Sequence, residues 1–428
     1  MTDWITAAEA ADRLGIKQAS LYAYVSRGVL SRRREADGRA SMFDASEVEA
    51  LARKGRPRRA PSTPEFVFES ALTEITATTQ RYRGHDATDL ALRSSFEDVA
   101  MLLWTGSLPE AAGEQSVLAG RGWQATDEAL AAGRAAQAAL PPGTLPLERL
   151  QVIVPALAAT DQFRLHLDLP AVVAAGKALV AGMVGALPEA ATGANRLPGA
   201  EAARAELPMP ESASPEPGVA ARLAPKLCTG PVLPGLIRVL NAALVLVADH
   251  ELAASTLAAR VAASMRADPY AVVATGLGAM GGALHGGAAL GAELMLGSAT
   301  SPADAPRVVG DLLRRGEKLP GFGHFVYKDG DPRADLLLRL VGELAPKSPQ
   351  LAIASAVTDE ARRRALPEPN IEFALAVLAQ VASMTRGAGE AIFATGRTAG
   401  WLAHALEEYE RNIPIRPRSV YTGQTAVT

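Results

Sequence analysis

We predict an all-α protein, because the composition and patterning of the 428 residues indicate packed helices. Apolar residues make up 48% of the chain but aromatic residues only 5%, which is typical of a core built from Ala, Leu and Val. From about Glu65 onward one helical pattern follows another, and few segments alternate between polar and apolar residues as strands do. The length is enough for two or three domains.

The charged residues are unevenly distributed along the chain. Residues 1–60 hold 12 Lys and Arg and 8 Asp and Glu, a net charge of +4. Because the whole chain carries −3, the remainder carries −7. A basic end on an acidic body indicates different partners for the two parts.

The cysteine content and the N-terminus bear on the compartment. The single cysteine, Cys228, excludes an intrachain disulfide and indicates a reducing environment. The N-terminal sequence lacks the basic-then-apolar pattern of a signal peptide, and no run of about 18 apolar residues lacks a charge. We therefore expect a cytoplasmic protein without a membrane span.

Residues 1–53 contain the elements of a small separate domain. Thr6 and Glu9 form a capping-box pattern at a helix start, and Gly15 ends that helix. A second short helix over "KQASLYAYVSRGVL" is stopped by Gly28, and the "DG" after "SRRREA" predicts a hairpin turn. A further helix follows, with Asp44 as its cap. Helix, tight turn, helix and basic wing is the order of a winged helix-turn-helix.

Two segments interrupt the predicted helices. Residues 54–64 are basic and rich in proline, which predicts a linker. Residues 188–218, approximately, are rich in Ala, Pro, Glu and Gly, which predicts a mobile surface insertion.

Three of the six histidines stand in unusual settings. His324 follows "GFG", and two glycines before a histidine let the backbone approach a bulky group. His285 lies between two "GG" pairs where an apolar run begins, so we expect its imidazole at a helix N-terminus. That position disfavours the imidazolium, and a neutral histidine there can donate a hydrogen bond to a developing oxyanion. His250 lies in "VADHELAAST". For each histidine taken singly, a structural hydrogen-bonding role is the alternative.

Seven motifs occur in the order found in one enzyme family. They are "YRGHDATDLALRSSFEDVAMLLWTGSLP", "ADHELAAST", "GALHGGAALGAELML", "GFGHFVYKDGDPRA", "PNIEF", "GRTAGWLAHALEE" and "IRPRSVYTG". On these motifs the chain from about Glu65 to Gly423 resembles the citrate synthases, 2-methylcitrate synthases included. The resemblance implies an almost entirely helical homodimer whose large and small domains close over the substrate. Closure excludes water while a reactive enol forms.

The same resemblance implies how the body is divided. Residues 65–284 would form the first part of the large domain, and residues 285–390 would form mainly the small domain. Residues 391–428 would return to the large domain and end in a C-terminal arm.

The resemblance also implies a role for each matching histidine. His285 would hydrogen-bond the acetyl-thioester carbonyl and stabilise the enol. His324 would polarise the keto carbonyl of oxaloacetate, and His250 would be a further ligand of this oxo-acid.

Three arginines match the carboxylate-binding positions of the family: Arg333, Arg397 and Arg416. Guanidinium forks suit the two carboxylates of oxaloacetate because they bind them bidentately. In the family the last of these arginines comes from the partner subunit, so a complete site would need a dimer. Lys328 matches a basic position that faces the phosphates of coenzyme A. For an isolated arginine, surface solvation is the alternative.

The sequence departs from the family pattern in the polar shell of the site. The family base is an aspartate in a "PN-apolar-D-F" motif, and here the carboxylate is Glu372. A base must reach the substrate proton at roughly 3 Å, and a misplacement of about 1 Å can cost about a hundredfold in rate. Ala253 stands where the family usually has an asparagine, and Phe325 follows the second histidine where Arg or Ala is common. A solvated helix residue is the alternative for Glu372 alone.

The N-terminal domain resembles the DNA-binding end of MerR-type and excisionase-like winged helices. In such a fold the second helix would enter the major groove, and the wing would lie near the DNA backbone. The resemblance implies DNA contacts on the helix and wing from Lys17, Gln18, Ser20, Tyr22, Arg27, Arg32, Arg33, Arg34 and Arg39. A protein–protein or purely structural appendage is the alternative.

The leading functional interpretation is a citrate synthase-type acyltransferase that condenses acetyl-CoA, or another short acyl-CoA, with oxaloacetate. We expect a coenzyme A thioester as substrate, no further cofactor and no metal, because no metal-ligand spacing or phosphate-binding glycine loop occurs in the sequence. The alternative is a catalytically weak metabolite sensor that controls a DNA-binding domain. The sequence leaves the choice between acetyl-CoA and propionyl-CoA open.

Overall fold

A computed structural model describes residues 4–14, 21, 25, 30–34, 41–54, 68–108, 122–190 and 217–423. The chain divides into two units, Met1–Glu69 and Ser70–Thr428. Most of the predicted linker and of the predicted insertion lies outside the described residues.

The first unit contains a three-stranded antiparallel sheet and helices. Its described elements are β1 (Trp4–Thr6), α1 (Ala7–Leu14), β2 (Arg32–Arg34), β3 (Ser41–Asp44) and α2 (Ala45–Lys54), and the strand order is β1-β3-β2. Strands β2 and β3 pair antiparallel, as the predicted hairpin requires, and its turn lies outside the described residues. The sequence did not predict β1, which pairs along β3.

The two helix starts predicted in this unit are confirmed. The Thr6 backbone N–H donates to a Glu9 carboxylate oxygen at 2.9 Å, and the Glu9 N–H donates to the Thr6 hydroxyl at 3.2 Å. The Asp44 carboxylate accepts the Ser46 N–H at 2.9 Å. Buried apolar side chains fill the small core beneath these helices, namely Ile5, Ala10, Ala11, Leu21, Leu30, Phe43, Ala45 and Val48.

The second unit is almost entirely helical, as predicted. A short antiparallel sheet stands at its start: β4 (Thr73–Ile75), β5 (Gln80–Tyr82) and β6 (His85–Asp86). The helices of the first half are α3 (Ala87–Arg93), α4 (Phe96–Thr105), α5 (Asp127–Ala138), α6 (Pro146–Ala158) and α7 (Leu169–Ala186). After the insertion come α8 (Val219–Leu227), α9 (Leu236–Leu246), α10 (Ala254–Ser264), α11 (Pro269–Met280) and α12 (Gly287–Gly297). A 3-10 turn (Pro302–Asp304) precedes α13 (Ala305–Arg314), α14 (Pro332–Leu344), α15 (Pro349–Arg363), α16 (Ile371–Val381) and α17 (Ala388–Arg411).

Polar caps fix where many of these helices begin. A side-chain oxygen at the N-cap accepts a backbone N–H of the first turn and so satisfies a donor that has no partner within the helix. The residues that do so are Asp86, Ser95, Thr126, Asp168, Asp268, Asp331 and Asn370. These caps place the ends of helices, and therefore the loops between them, at defined positions.

Helix α17 is the centre of the second unit. It is buried over most of its length and contacts the helices α4, α6, α7, α9, α10, α11, α12 and α16. At Gly400 a side chain would collide with Asp249 and with the Ala248 carbonyl, so glycine lets this helix lie directly against the segment before His250.

Helix α7 (Leu169–Ala186) is the one described helix that is long and apolar enough to cross a membrane. Of its apolar window, 61% is buried inside the protein, which is also the pattern of a core helix.

Candidate active site

A glycine-containing loop lies against the first turn of α16. Gly321 has a φ of +79°, and a Cβ there would lie 2.9 Å from the backbone nitrogen of Phe373. The Asn370 N–H donates to the Gly321 carbonyl at 2.9 Å, and the Asn370 side chain donates to the Gly323 carbonyl at 2.9 Å. The bulky neighbour of Gly321 is therefore the segment that carries Glu372, and the bulky neighbour of Gly323 is Pro367.

His324 follows this loop, and its hydrogen bonds define which ring nitrogen carries the hydrogen. The backbone N–H groups of Val326 and Tyr327 donate to Nδ1 at 3.0 and 3.2 Å. Since Nδ1 accepts, the neutral ring carries its hydrogen on Nε2. Burial and the charge of Arg333 lower the pKa of His324 to about 4. The ring is therefore neutral near pH 7, and Nε2–H can donate to a carbonyl oxygen.

His250 packs against two other rings. The centroid of its ring lies 5.0 Å from that of His324 and 5.7 Å from that of Tyr327. Burial, together with the charges of Arg333 and Arg397, holds the pKa of His250 well below its ordinary value. A neutral imidazole is therefore expected here at neutral pH.

Arg333 is buried and is held by one carboxylate. Its Nε donates to Oδ1 of Asp331 at 2.9 Å and its Nη2 donates to Oδ2 at 2.8 Å. Asp331 also accepts the Ile371 N–H at 3.1 Å. A single carboxylate thus joins the arginine to the helix that carries Glu372.

Arg397 lies in the middle of α17 and is buried. Its Nε donates to the Val247 carbonyl at 2.7 Å, and its guanidinium carbon lies 4.6 Å from the centroid of the Phe393 ring. Burial lowers the pKa of Arg397 to about 10, so the guanidinium is still charged near pH 7. One edge of this cation is therefore anchored to the backbone.

Three buried polar atoms in this region have no hydrogen-bond partner among the described residues: His250 Nε2, Arg397 Nη2 and Glu372 Oε2. The charges of Arg333 and Arg397 act on both His250 and Glu372. Buried polar groups are nearly always hydrogen-bonded in folded proteins. The unpaired guanidinium N–H of Arg397, with the charge of Arg333 close to the same histidine, indicates a site for a ligand with carboxylate oxygens.

His285 lies between α11 and α12, and a serine hydroxyl lies against its ring. The Ser255 hydroxyl lies 2.7 Å from Nε2 of His285 and accepts the Trp401 indole N–H at 3.4 Å. Because the indole can only donate, the hydroxyl keeps its own hydrogen for Nε2, and in that arrangement the ring hydrogen lies on Nδ1. Burial and the charge of Arg397 lower the pKa of His285 to about 4. Nδ1–H of a neutral ring is the group available to a ligand.

His285 and Glu372 line one narrow cavity, together with Phe393 and Met280. Burial raises the pKa of Glu372, and the charge of Arg333 opposes that rise. A carboxylate with a raised pKa is a stronger proton acceptor. The structure thus places an imidazole and a carboxyl on the walls of the same space, and Glu372 is not the solvated helix residue of the alternative interpretation.

A second, larger opening adjoins His324. This cleft of about 520 Å³ is lined by Phe322, Phe325 and Lys318, among others. Lys328 is exposed nearby, where its Nζ donates to the His324 carbonyl at 3.1 Å and lies 5.6 Å from the centroid of the Phe325 ring. Both lysine side chains can reach a ligand in solvent at the mouth of the cleft.

Arg416 is the predicted site residue that the structure does not bring to the others. It is exposed, in the stretch after α17 that has neither helix nor strand, and no described residue forms a hydrogen bond or ion pair with it. Within the described parts of the chain, no group of three or more His, Cys, Asp or Glu side chains is placed to hold a metal ion.

Of the predicted DNA contacts, the described ones lie on β2. Arg32 and Arg33 are exposed, and the guanidinium carbon of Arg33 lies 4.4 Å from the centroid of the Trp4 ring. Arg34 ends the strand. The remaining predicted contacts lie outside the described residues: Lys17, Gln18, Ser20, Tyr22, Arg27 and Arg39.

Sequence reasoning missed Ser255, Tyr327 and Asp331. Asp331 carried a signal, because Asp followed by Pro is typical of a helix start. Ser255 lies two residues beyond Ala253, and no local pattern marks it as the partner of His285. Ala253 is the N-cap of α10 and provides no side-chain hydrogen bond there.

Comparisons with known families cover both units. A family model described as "Citrate synthase, C-terminal domain" matches residues 64–418, and one described as "Helix-turn-helix domain" matches residues 4–56.

Curated relatives carry two enzyme names. "Citrate synthase" of Haloferax volcanii is 32% identical over 379 residues, which are 84% of this chain and 94% of the relative. "2-methylcitrate synthase" of Mycobacterium tuberculosis is 30% identical over 364 residues, 83% of this chain and 88% of the relative. "Citrate synthase 2" of Bacillus subtilis is 40% identical over 194 residues, and this match spans only about half of that relative, 51%.

Solved structures give the same fold. The citrate synthase of Thermoplasma acidophilum, in a ternary complex with carboxymethyl coenzyme A and oxaloacetate, superposes with a TM-score of 0.66 at 26% identity. That comparison covers 86% of this chain and 96% of the other. The citrate synthase of Thermotoga maritima has a TM-score of 0.64 at 25% identity and covers 86% of this chain and 97% of the other.

Proposed function

The chain belongs to the citrate synthase family, and on that premise we propose that it condenses a short acyl-CoA with oxaloacetate. The observation that carries this proposal is the set of unpaired buried atoms on His250, Arg397 and Glu372. They match the needs of an oxo-acid with two carboxylates and of an acyl group that must lose a proton.

The oxo-acid half of the reaction uses the cations and His324. Arg333 and Arg397 would bind the carboxylates, and Nη2 of Arg397 would gain the partner that the described residues do not supply. Nε2–H of His324 would donate to the keto oxygen. A neutral donor in a dry site stabilises the alkoxide that develops on that oxygen.

The acyl half uses His285 and Glu372. The Glu372 carboxylate would take a proton from the α-carbon of the acyl group, and the electron pair would move into an enolate. Nδ1–H of His285 would hold the enolate oxygen. Placing base and donor on one cavity orients both toward the same acyl group.

The electron pair of the enolate would then form the carbon–carbon bond to the keto carbon of oxaloacetate. The resulting alkoxide takes up a proton, which balances the one held by Glu372. Water would then split the thioester and release coenzyme A as a thiol, with citrate or 2-methylcitrate as the acid. No redox change occurs at any step.

The cleft beside His324 suits the remainder of coenzyme A. Its volume of about 520 Å³ and its aromatic lining fit a nucleotide portion, and Lys318 and Lys328 supply positive charge for phosphates. Acetyl-CoA and propionyl-CoA differ by one methylene, a difference worth about 1–3 kcal/mol in an apolar pocket. Both are therefore substrates to be tested.

We test this function by thiol release from acetyl-CoA and propionyl-CoA with oxaloacetate. The native chain is expected to release thiol, and Glu372→Gln is expected to lose that release because an amide cannot accept the proton. Glu368→Gln is the matched control, since Glu368 forms an ion pair with Arg362 at the surface. Failure of the native chain to release thiol from either donor, with the fold intact, would rule out these substrates.

A homodimer is part of the proposal, and an apolar stripe supports it. Leu257, Val261 and Met265 are exposed at intervals of four along α10 and its end, the spacing of one helix face. Arg416 is exposed on the arm after α17, where it could serve the site of a partner. The division of the second unit into large and small domains at residues 65–284, 285–390 and 391–428 remains a prediction of the same kind.

Mixed dimers test the shared site. Arg416→Ala and Glu372→Gln chains should each be inactive, but a refolded mixture should regain activity, because one site of each mixed dimer contains both native residues. The expected recovery is about a quarter of native activity for random pairing. A mixture as inactive as its parents would show that Arg416 acts within its own chain or not at all.

We also propose that the first unit contacts DNA, which its helix-turn-helix match and exposed Arg32 and Arg33 support. Replacing either arginine with Gln should weaken DNA binding across sequences and reduce the salt slope by about 1. Arg13→Gln is the control, because Arg13 pairs with Glu49 on the helices of this unit. DNA binding that responds to oxaloacetate, without thiol release, would instead favour a regulator.

With one buried cysteine, Cys228, the protein suits the reducing cytoplasm.

A further inference from the structure

A second carboxyl lines the cavity that His285 and Glu372 share. Glu390 lies in the first turn of α17, is 5% exposed, and contributes to the cavity wall. No residue in the described part of the chain forms a hydrogen bond or ion pair with its side chain. The reaction derived above gives Glu390 no role.

Its neighbour Glu293 shows what a satisfied carboxyl looks like in this region. Glu293 is fully buried on α12, and it accepts the N–H groups of Gly387 and Gly389 at 2.8 and 2.9 Å. Glu390 has no such donors. Burial, and after it the charge of Glu293, raises the pKa of Glu390 to about 7.

The other charges that act on Glu390 do not cancel the rise in its pKa. Glu148 adds further repulsion, and Arg386 is the cation that opposes it. Arg386 is exposed and forms no ion pair with Glu390 among the described contacts. An unpaired, largely buried carboxyl costs free energy, because it loses solvation that no hydrogen bond replaces. A ligand group that pairs with Glu390 would remove that cost.

The cavity lining indicates which part of a substrate would meet Glu390. His285 would hold the thioester oxygen and Glu372 would face the α-carbon, so the acyl chain beyond that carbon meets the rest of the wall. That remainder consists of apolar Met280, Ala289 and Phe393, with Glu390 as the additional polar group. A purely apolar acyl chain would bury the carboxyl without a partner.

We propose that Glu390 selects an acyl-CoA whose short acyl chain carries a hydroxyl group, which forms a hydrogen bond with the Glu390 carboxyl. The inference rests on the proposed condensation and names the class of its acyl donor. A hydroxyl both donates and accepts, so it pairs with the carboxyl in either protonation state. In this structure the cavity is too narrow for a water molecule, so it must widen to admit the chain, and its apolar neighbours restrict that chain to a few carbons beside the hydroxyl.

The test compares two thioesters of equal size with oxaloacetate. 3-Hydroxypropionyl-CoA and butyryl-CoA differ by a hydroxyl in place of a methyl group. The native chain should prefer the hydroxyacyl donor in kcat/KM by about tenfold or more, because sites that pair a substrate hydroxyl reject analogues without it. Glu390→Met, of similar volume, should abolish or reverse this preference, whereas Glu390→Gln, which keeps hydrogen-bonding capacity, should retain part of it.

Each outcome separates this inference from the reaction itself. Turnover of acetyl-CoA together with the same donor ratio in the native and Glu390→Met chains overturns the role of Glu390 alone, as does native preference for butyryl-CoA. Should Glu390→Met fail to fold, Glu390→Ala takes its place. If no thioester is turned over, calorimetric affinities of the two thioesters decide: a hydroxyacyl preference lost in the variant supports the inference, and equal affinities overturn it. 3-Aminopropionyl-CoA as the best donor would replace the hydroxyl by a cation and overturn the proposal as stated.

Discussion

Shortening the proposed base by one methylene tests whether this chain is built for glutamate. Glu372→Asp restores the side chain that is usual in the family but retracts the carboxylate by more than 1 Å. If the backbone could move, the shorter side chain would work as well as the native one. The first turn of α16 therefore decides the outcome.

The structure holds that turn in three ways. Asn370 caps it by accepting the N–H groups of Glu372 and Phe373 at 3.1 and 3.3 Å. Asp331 accepts the Ile371 N–H at 3.1 Å. On the remaining side, the space beside Gly321 is so narrow that a Cβ would lie 2.9 Å from the Phe373 backbone. The backbone cannot advance to compensate for a shorter side chain.

The expected cost follows from that restraint. A displacement of about 1 Å costs about a hundredfold in rate, or about 2.7 kcal/mol in activation free energy. Thiol release under saturating oxaloacetate should show kcat of Glu372→Asp reduced by about that factor, with KM for oxaloacetate little changed. Glu368→Asp is the control for the same substitution at the surface. A Glu372→Asp chain as fast as the native one, or faster, would refute the reasoning.

Three further predictions concern single side chains. Ser255→Ala removes the hydroxyl that bonds Nε2 of His285, and kcat should fall about tenfold without a change in KM for oxaloacetate, as steady-state kinetics would show. Ala253→Asn supplies the side chain that the N-cap of α10 lacks, and it should raise the free energy of unfolding by about 1 kcal/mol in denaturant titrations. Burial raises the pKa of Glu293 and of Glu390 to about 7, above their ordinary 4.5, so the stability they contribute is present below pH 4.5 and is lost as pH rises through 7. The melting temperature of Glu390→Gln should therefore fall less than that of the native protein between about pH 5 and pH 8.

Each of these has a matched comparison. Thr275→Ala, on the neighbouring helix α11, removes an exposed hydroxyl that bonds the Ala271 carbonyl and should leave kcat unchanged. Ala253→Leu adds a side chain as large as Asn that cannot cap the helix, and it should not stabilise the protein. Equal stabilisation by Leu and Asn would show that capping is not the cause. Parallel melting curves for the native chain and Glu390→Gln across the pH range would contradict the raised pKa of this carboxyl.

The sequence singled out histidines and arginines that the structure brings close together. His250, His285, His324, Arg333 and Arg397 lie in motifs that fix both residue type and order, and the structure gathers them into neighbouring elements. The helical architecture followed from composition and periodicity for the same reason, because apolar spacing is a local property.

What the sequence could not predict depends on contacts between distant positions. Trp401 meets Ser255 across 146 positions of the chain, and neither residue carries a local signal for that contact. Strand β1 spans three residues and is a strand because β3 lies beside it. In the sequence, Glu390 has the pattern of an acidic residue that stabilises the first turn of a helix. Its place in a cavity wall depends on the packing of helices that are distant in the chain.

The carboxylate of Asp331 has a consequence for how such a site can diverge. It grips Arg333 with both oxygens and the N-terminus of α16 with one of them. The proposed carboxylate-binding arginine and the helix that carries the proposed base are therefore held by the same side chain. A change that moved Asp331 to admit a bulkier oxo-acid would also displace Glu372 and so slow the proposed proton abstraction. Apart from Glu372, the side chains that line the acyl cavity lie on or beside α11, α12 and α17. Substitutions there leave Asp331 in place, so they can change the acyl donor without moving Arg333 or Glu372.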